Sequence, residues 1–90
     1  MSKLRNLARD RACQVRLQGC DGGGETTILA HIRMAGISGL GFKSPDALGA
    51  HCCAPCHSYA DTHHDNETQV AFLKGVIRTL DLLIREGHVK

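Results

Sequence analysis

Four of the five cysteines fall into two pairs, and these pairs constrain the fold more than any other feature. Six residues separate Cys13 from Cys20, and Cys53-x-x-Cys56 forms a tight second pair. The chain has 90 residues, two Phe, one Tyr and no Trp, so its hydrophobic core is thin and needs disulfides or a metal to stabilise it. Because a Cys-x-x-Cys turn presents two thiolates to one tetrahedral Zn²⁺, we predict that the two pairs together bind one structural zinc ion.

Disulfide and redox alternatives explain the cysteines less well. The start of the chain has charges every few residues, which differs from a signal peptide, and no apolar run approaches the roughly 18 residues that span a bilayer. We therefore expect a cytoplasmic protein with reduced thiols and no membrane partner. A thioredoxin-like redox Cys-x-x-Cys needs a βαβ frame, for which the chain is too short. Cys52 is expected to be a small buried residue, and His51 or His57 remains an alternative fourth ligand.

Sequence patterns predict one α+β domain over residues 1–90. The residues at 26–32 are β-branched and apolar, which favours a strand, and a second strand is expected over 50–52. A Ser-Pro-Asp signal at 44–46 predicts a short helix that reaches about residue 49, after a long loop over 33–45. Further helices are predicted over 2–11, 54–62 and 67–86.

The last predicted helix carries an apolar stripe. Its members recur at helical spacing, and Gly87 follows where a helix-terminating glycine is common. We expect this stripe to pack in the core, and it comprises Val70, Leu73, Val76 or Ile77, Leu80, Leu83 and Ile84.

Several histidines and acids remain once four cysteines are assigned to zinc. His57, Asp61 and His64 would share one face of the predicted helix, at positions i, i+4 and i+7. An imidazole and a carboxylate one turn apart can both bind one cation, and this ligand pair suits Mg²⁺ or Mn²⁺ as well as Zn²⁺. His31 lies near the end of the first predicted strand, where a side chain can face a functional loop.

The order of these motifs resembles the HNH family of endonucleases, and in particular the small HNH-type nucleases of phages and prophages. The matching stretches are CQVRLQGC, TTILAHIR, SPDAL and CCAPCHSYAD, which together span residues 13–61. The resemblance implies a small zinc-stapled ββα-metal core of HNH or treble-clef-like type, followed by a long C-terminal helix. It makes His31 the general base, His57 and Asp61 ligands of a catalytic Mg²⁺ or Mn²⁺, and Asp46 the middle residue of the motif. The four cysteines match the family's zinc knuckle.

The resulting functional prediction is a metal-dependent endonuclease that hydrolyses phosphodiester bonds of nucleic acid, with DNA the expected substrate. Residues 1–16 carry five basic residues against one acid, so Arg9 and Arg11 are predicted to contact phosphates, as is Arg33 after the predicted base. If a phage or prophage encodes the protein, it acts in the bacterial cytoplasm. The alternative is a non-catalytic zinc module that binds nucleic acid or a protein partner.

Overall fold

The computed structural model describes residues 3–31 and 46–89, and it has the predicted α+β architecture with a long C-terminal helix. The prediction for residues 54–62 is confirmed, and those for 50–52 and 67–86 are confirmed to within one residue. Residue 2 and the predicted loop over 33–45, with Ser44 and Pro45, lie outside the described residues. In chain order the elements are α1 Lys3–Leu7, β1 Ile28–His31, a 3-10 helix Asp46–Leu48, β2 Gly49–Cys52, α2 Ala54–Thr62 and α3 Asn66–Arg85.

Strands β1 and β2 form an antiparallel pair at the centre of the fold. Their register places Ile28 opposite Cys52 and His31 opposite Gly49. The other edge of β2 is also paired. The His51 carbonyl accepts a hydrogen bond from the backbone N–H of Gln14 (2.8 Å), and the His51 N–H donates to the Thr79 hydroxyl (2.9 Å). All four residues of β2 are buried. The strand that leads into the Cys-x-x-Cys turn is therefore enclosed on every side, which fixes the start of α2.

Helix α1 and strand β1 are shorter than their sequence patterns predict. The helix ends at Leu7, and three residues later Asp10 adopts a left-handed φ of 64° and donates its N–H to the Gly24 carbonyl. Strand β1 begins only at Ile28, because the Thr27 hydroxyl donates to the Arg11 carbonyl at 2.7 Å. Both differences arise because the residues after α1 and those before β1 hydrogen-bond to each other, which ends the helix early and starts the strand late.

Helix α3 begins and ends within one residue of its predicted bounds. Asp65 is the N-cap, and its carboxylate accepts hydrogen bonds from the N–H and hydroxyl of Thr68. Gly87, with φ 81°, follows the C-cap residue Glu86. The left-handed backbone there is accessible to glycine at little cost, so the helix stops as the Gly87 signal predicts. Among the described residues, no helix combines the length and apolarity required to cross a membrane.

The prediction that the apolar stripe of α3 packs in the core is only partly confirmed. Val76 and Leu83 are buried, but Val70 is 49 % exposed and Ile77 is 60 % exposed. The helix instead packs through a face rotated from the stripe, because small and polar side chains allow a closer approach there. A Cβ at Gly75 would lie 2.8 Å from Val15 Cγ2, so only glycine permits this contact without a shift. Leu73 and Ile84 are also exposed.

An ion pair joins the N-terminal segment to the end of α3. The guanidinium of Arg11 donates to both carboxylate oxygens of Glu86, at 2.6 and 2.7 Å. This hydrogen bonding holds the pKa of the Glu86 carboxyl below its usual value. Arg11, predicted to contact phosphate, therefore has a partner within the protein.

We expect this pair to stabilise the fold in a pH-dependent way. Because the pKa of Glu86 is lower in the folded state, its contribution is complete above the unfolded-state value of about 4.3 and is lost as the pH falls through the folded-state pKa. Thermal denaturation of wild type and Glu86→Gln should give a Tm difference at pH 7 that shrinks towards zero in acid. A difference that is constant from pH 7 to pH 3 would contradict this assignment.

Candidate metal centre and adjoining cleft

The sulfur atoms of four cysteines converge between the 13–20 loop and the start of α2. Their Sγ atoms all lie within 4.8 Å of one another, and Cys20 Sγ is 3.8 Å from Cys53 Sγ. A tetrahedral site with Zn–S bonds of about 2.3 Å places sulfurs about 3.8 Å apart, so the spacing fits this geometry. The predicted four residues, Cys13, Cys20, Cys53 and Cys56, are thus positioned to hold one metal ion.

Backbone N–H groups already point at these sulfurs. Leu17 donates to Cys56 Sγ and Gly22 donates to Cys20 Sγ, both at 3.3 Å. Such donors stabilise thiolates and orient them towards an ion. Burial raises the pKa of the Cys13 thiol, but backbone N–H groups, that of Arg16 foremost, outweigh it and lower the pKa to about 7.

The remaining candidate ligands lie outside this group. Cys52 is fully buried, as predicted, and burial raises the pKa of its thiol. His51 does not complete the cluster, since the group contains four cysteines and no histidine. Its ring is also fully buried, and within the described part of the chain neither ring nitrogen has a hydrogen-bond partner. For the metal centre, the structure therefore favours the four-cysteine prediction over a site with three cysteines and one histidine.

Beside the metal centre, a cleft of about 220 Å³ opens between β1, α2 and the start of α3. His31 reaches it from the end of β1, while His57 and Asp61 reach it from α2. His57 directly follows Cys56, one of the four clustered cysteines, so the position of the cysteine cluster also sets the position of the His57 backbone. The structure thus brings His31, nominated from the first strand, to the same cleft as His57 and Asp61, nominated from the helix after the Cys-x-x-Cys turn.

His57 and Asp61 form a pair of ligand atoms one helical turn apart. The separation of His57 Nδ1 and Asp61 Oδ2 is 3.8 Å, and their side chains are 39 % and 51 % exposed. One cation with ligands at about 2.1 Å can bridge such a distance. Over residues 3–31 and 46–89, no third histidine, cysteine or acid comes within 4.8 Å of both ligand atoms. A cation here would keep positions for water and substrate.

The predicted position of His64 on the same helical face is wrong, because α2 ends at Thr62. His64 nevertheless lines the cleft, together with His63, which the sequence analysis did not nominate. The i, i+4 spacing of Tyr59 and His63 could have identified the latter, since such pairs meet on a helix surface.

None of the other nominated residues whose side chains the structure describes lines the cleft. Asp46 begins the 3-10 helix that precedes β2, and nothing is described of its side chain. Arg9 is exposed, and Arg11 pairs with Glu86. Arg33 lies outside the described residues. Contacts of these residues with substrate stay predictions.

Fold and site together define a small α+β protein in which four cysteines, positioned to hold a metal ion, precede and begin a helix bearing histidine and aspartate at an open cleft. A family model described as "Putative nuclease YbcO" matches residues 2–88. The chain belongs to this family, and the resemblance to phage- and prophage-type nucleases is thereby confirmed.

Similar proteins occur in a bacterium and in a phage. The chain is 41 % identical to "Putative nuclease YbcO" of Escherichia coli (strain K12) and to "Putative nuclease ybcO" of Enterobacteria phage 82, over 100 % of this chain and 99 % of each relative. A solved structure, described as a putative bacteriophage protein from Escherichia coli K-12, superposes with a TM-score of 0.75 at 34 % identity. The superposition covers 94 % of this chain and 100 % of the solved chain.

Proposed function

We propose that this protein is an HNH-type endonuclease that hydrolyses phosphodiester bonds of nucleic acid, with DNA as the expected substrate. The observation that carries the proposal is the convergence of His31, His57 and Asp61 on one cleft. Membership in a family described as nucleases supports the reaction class. The order of β1, β2 and α2 also agrees with a ββα core.

His31 is the general base in this proposal. In its neutral form the imidazole accepts a proton from water as the water oxygen attacks phosphorus and the bond to the 3′-oxygen breaks, and the leaving 3′-oxygen takes a proton from solvent water. The products are a 5′-phosphate end and a 3′-hydroxyl end, in agreement with the HNH resemblance. The antiparallel pairing of His31 with Gly49 fixes the backbone from which the imidazole reaches into the cleft.

His57 and Asp61 would hold the catalytic cation, Mg²⁺ or Mn²⁺. The ion supplies charge stabilisation for the scissile phosphate and the leaving oxygen. A site with these two protein ligands would resemble Mg²⁺ sites that retain water and bind substrate phosphate directly. Asp46 is proposed as a further residue of this site, and Arg9, Arg11 and Arg33 as phosphate contacts.

Zinc is the proposed occupant of the cysteine cluster, where it has a structural role. It would tie the 13–20 loop to the first turn of α2, immediately before His57. Because the core is small, this link would replace much of the stabilisation that a larger hydrophobic core gives. The zinc site would therefore fold the protein and position the catalytic helix, without taking part in phosphodiester hydrolysis.

The experiment that tests the proposal is plasmid nicking by zinc-loaded protein with Mg²⁺ or Mn²⁺. We expect Asp61→Asn to raise the Mg²⁺ concentration required for half-maximal activity by about tenfold or more, because a neutral amide is a weaker ligand than a carboxylate. A suitable control is Asp81→Asn, which removes a carboxylate paired with Arg85 on the exposed side of α3.

Two outcomes would contradict the proposed function. An unchanged Mg²⁺ requirement in Asp61→Asn would remove this residue from the cation site. Wild-type protein that shifts DNA on a gel but does not cut it with any divalent cation would favour the non-catalytic zinc module.

A further inference from the structure

Two stacked rings lie at the end of α2, and one of them, His63, lines the cleft. The Tyr59 and His63 rings have centroids 3.7 Å apart and planes within 1° of parallel. They are one helical turn apart, and His63 is the C-cap residue of α2. Neither ring has a role in the proposed hydrolysis, although His63 lines the same cleft as His31, His57 and Asp61.

The orientation of the His63 ring is fixed by hydrogen bonds as well as by stacking. Its Nδ1 lies 3.0 Å from the Tyr59 carbonyl oxygen, which can only accept, so this contact is a hydrogen bond in the tautomer that carries the proton on Nδ1. The Thr62 hydroxyl is also 3.0 Å from this nitrogen. One edge and one face of the ring are therefore occupied by the protein.

The opposite face of His63 is the part that remains available to a ligand. His63 is exposed and lines the cleft, and Tyr59 covers only one side of its ring. Ile28, which is 45 % exposed, and Phe72 add apolar surface to the same cleft. An oriented ring with apolar neighbours suits a flat, partly apolar ligand, and nucleobases stack on aromatic side chains in this way.

We propose that the free face of His63, supported by Tyr59, is a stacking platform for a nucleobase of an unpaired nucleotide near the scissile phosphate. This inference rests on the proposed function and adds a substrate class, single-stranded or locally unpaired nucleic acid. In a continuous duplex, neighbouring bases already cover both faces of each base, so stacking on a side chain requires an unpaired or extruded base.

Fluorescence of 2-aminopurine provides the test, because this base analogue is quenched when it stacks. A thymidine oligonucleotide with one central 2-aminopurine is titrated with zinc-loaded protein in the absence of Mg²⁺ and Mn²⁺, so that binding is measured without cleavage. We expect saturable quenching by wild type. His63→Ala should abolish the quenching and weaken binding about 5- to 150-fold, the range for one stacked base.

Two matched variants separate stacking from helix capping. His63→Phe retains a ring but loses the Nδ1 hydrogen bond, and we expect it to retain quenching and most of the affinity. His63→Asn can still donate to the Tyr59 carbonyl but has no ring, and it should behave like His63→Ala. The reverse pattern, with Asn active and Phe inactive, would overturn the proposal and leave His63 as a capping residue.

Substrate form and cleavage are measured separately. A duplex with the 2-aminopurine paired should show no quenching that depends on His63, and equal dependence in duplex and single strand would overturn the preference for unpaired bases. If quenching depends on His63 but the wild type never cuts, the platform stands and the proposed nuclease function fails. If cutting depends on His31 but binding is indifferent to His63, only the platform fails.

Discussion

His31→Ala is expected to lower the rate of divalent-dependent plasmid nicking by about 10²–10⁴-fold, the usual contribution of a general base. Alanine removes the imidazole and leaves the backbone pairing of β1 with β2, so the fold should be retained. The measurement is the initial rate of conversion from supercoiled to nicked plasmid at saturating Mg²⁺. Metal content and Tm of the variant should match those of wild type.

A matched control for this experiment is His88→Ala. His88 has a carboxylate neighbour, with its Nε2 3.4 Å from Glu86 Oε1, and it is not among the residues that line the cleft. We expect its nicking rate to equal that of wild type. Equal activity in His31→Ala and wild type would remove His31 from the reaction and indicate a contaminating nuclease, whereas a fall in both variants would indicate a general loss of folded protein.

Loss of the metal at the cysteine cluster should unfold the protein. Binding of zinc to structural sites in zinc-finger peptides contributes about 10–16 kcal/mol, which is comparable to the whole stability of a typical domain at about 5–15 kcal/mol. We therefore expect Cys56→Ser, or treatment with a strong chelator at neutral pH, to abolish the cooperative thermal transition. Zinc per chain and circular dichroism during heating measure the two effects.

Cys52→Ala is the matched control, since Cys52 is fully buried next to a cluster residue but lies outside the four-sulfur group. Loss of one buried sulfur should cost only about 1 kcal/mol and leave about one zinc per chain. If Cys52→Ala releases zinc while Cys56→Ser retains it, the assigned ligand set is wrong. A wild-type protein that melts at the same temperature with and without chelator would show that the metal is not structural.

The sequence was most informative where signals are local. Residues 54–62 form a helix as predicted, with Pro55 in the first turn, where its missing N–H costs nothing. Gly87 follows the end of α3 as predicted, because glycine permits the left-handed backbone there, whereas the N-cap Asp65 was not nominated from the sequence. The cysteine spacing predicted the convergence of the four sulfurs for a related reason, since ligand geometry restricts which separations can chelate one ion.

Predictions that required a packing partner were less successful. Helical spacing identified an apolar stripe on α3, but it could not show that Gly75 approaches Val15 closely and so rotates a different face into the core. It also placed His64 on α2, although the helix ends at Thr62. Hydrophobic periodicity shows which residues share one face of a helix. Which face is buried depends on the surface against which the helix packs.

The sequence by itself therefore determined the paired cysteines, the two main helices and the nomination of His31, His57 and Asp61. Spacing along the chain is sufficient for the cysteine pairs, the helices and the His57–Asp61 pair, because each follows from local backbone geometry or the reach of adjacent ligands, whereas His31 was nominated through the resemblance to the HNH family. Only the tertiary structure brought Arg11 to Glu86, 75 residues away, and His31 into the cleft with His63. These contacts depend on how separate elements pack against each other, and no periodic or local pattern in the sequence encodes that arrangement directly.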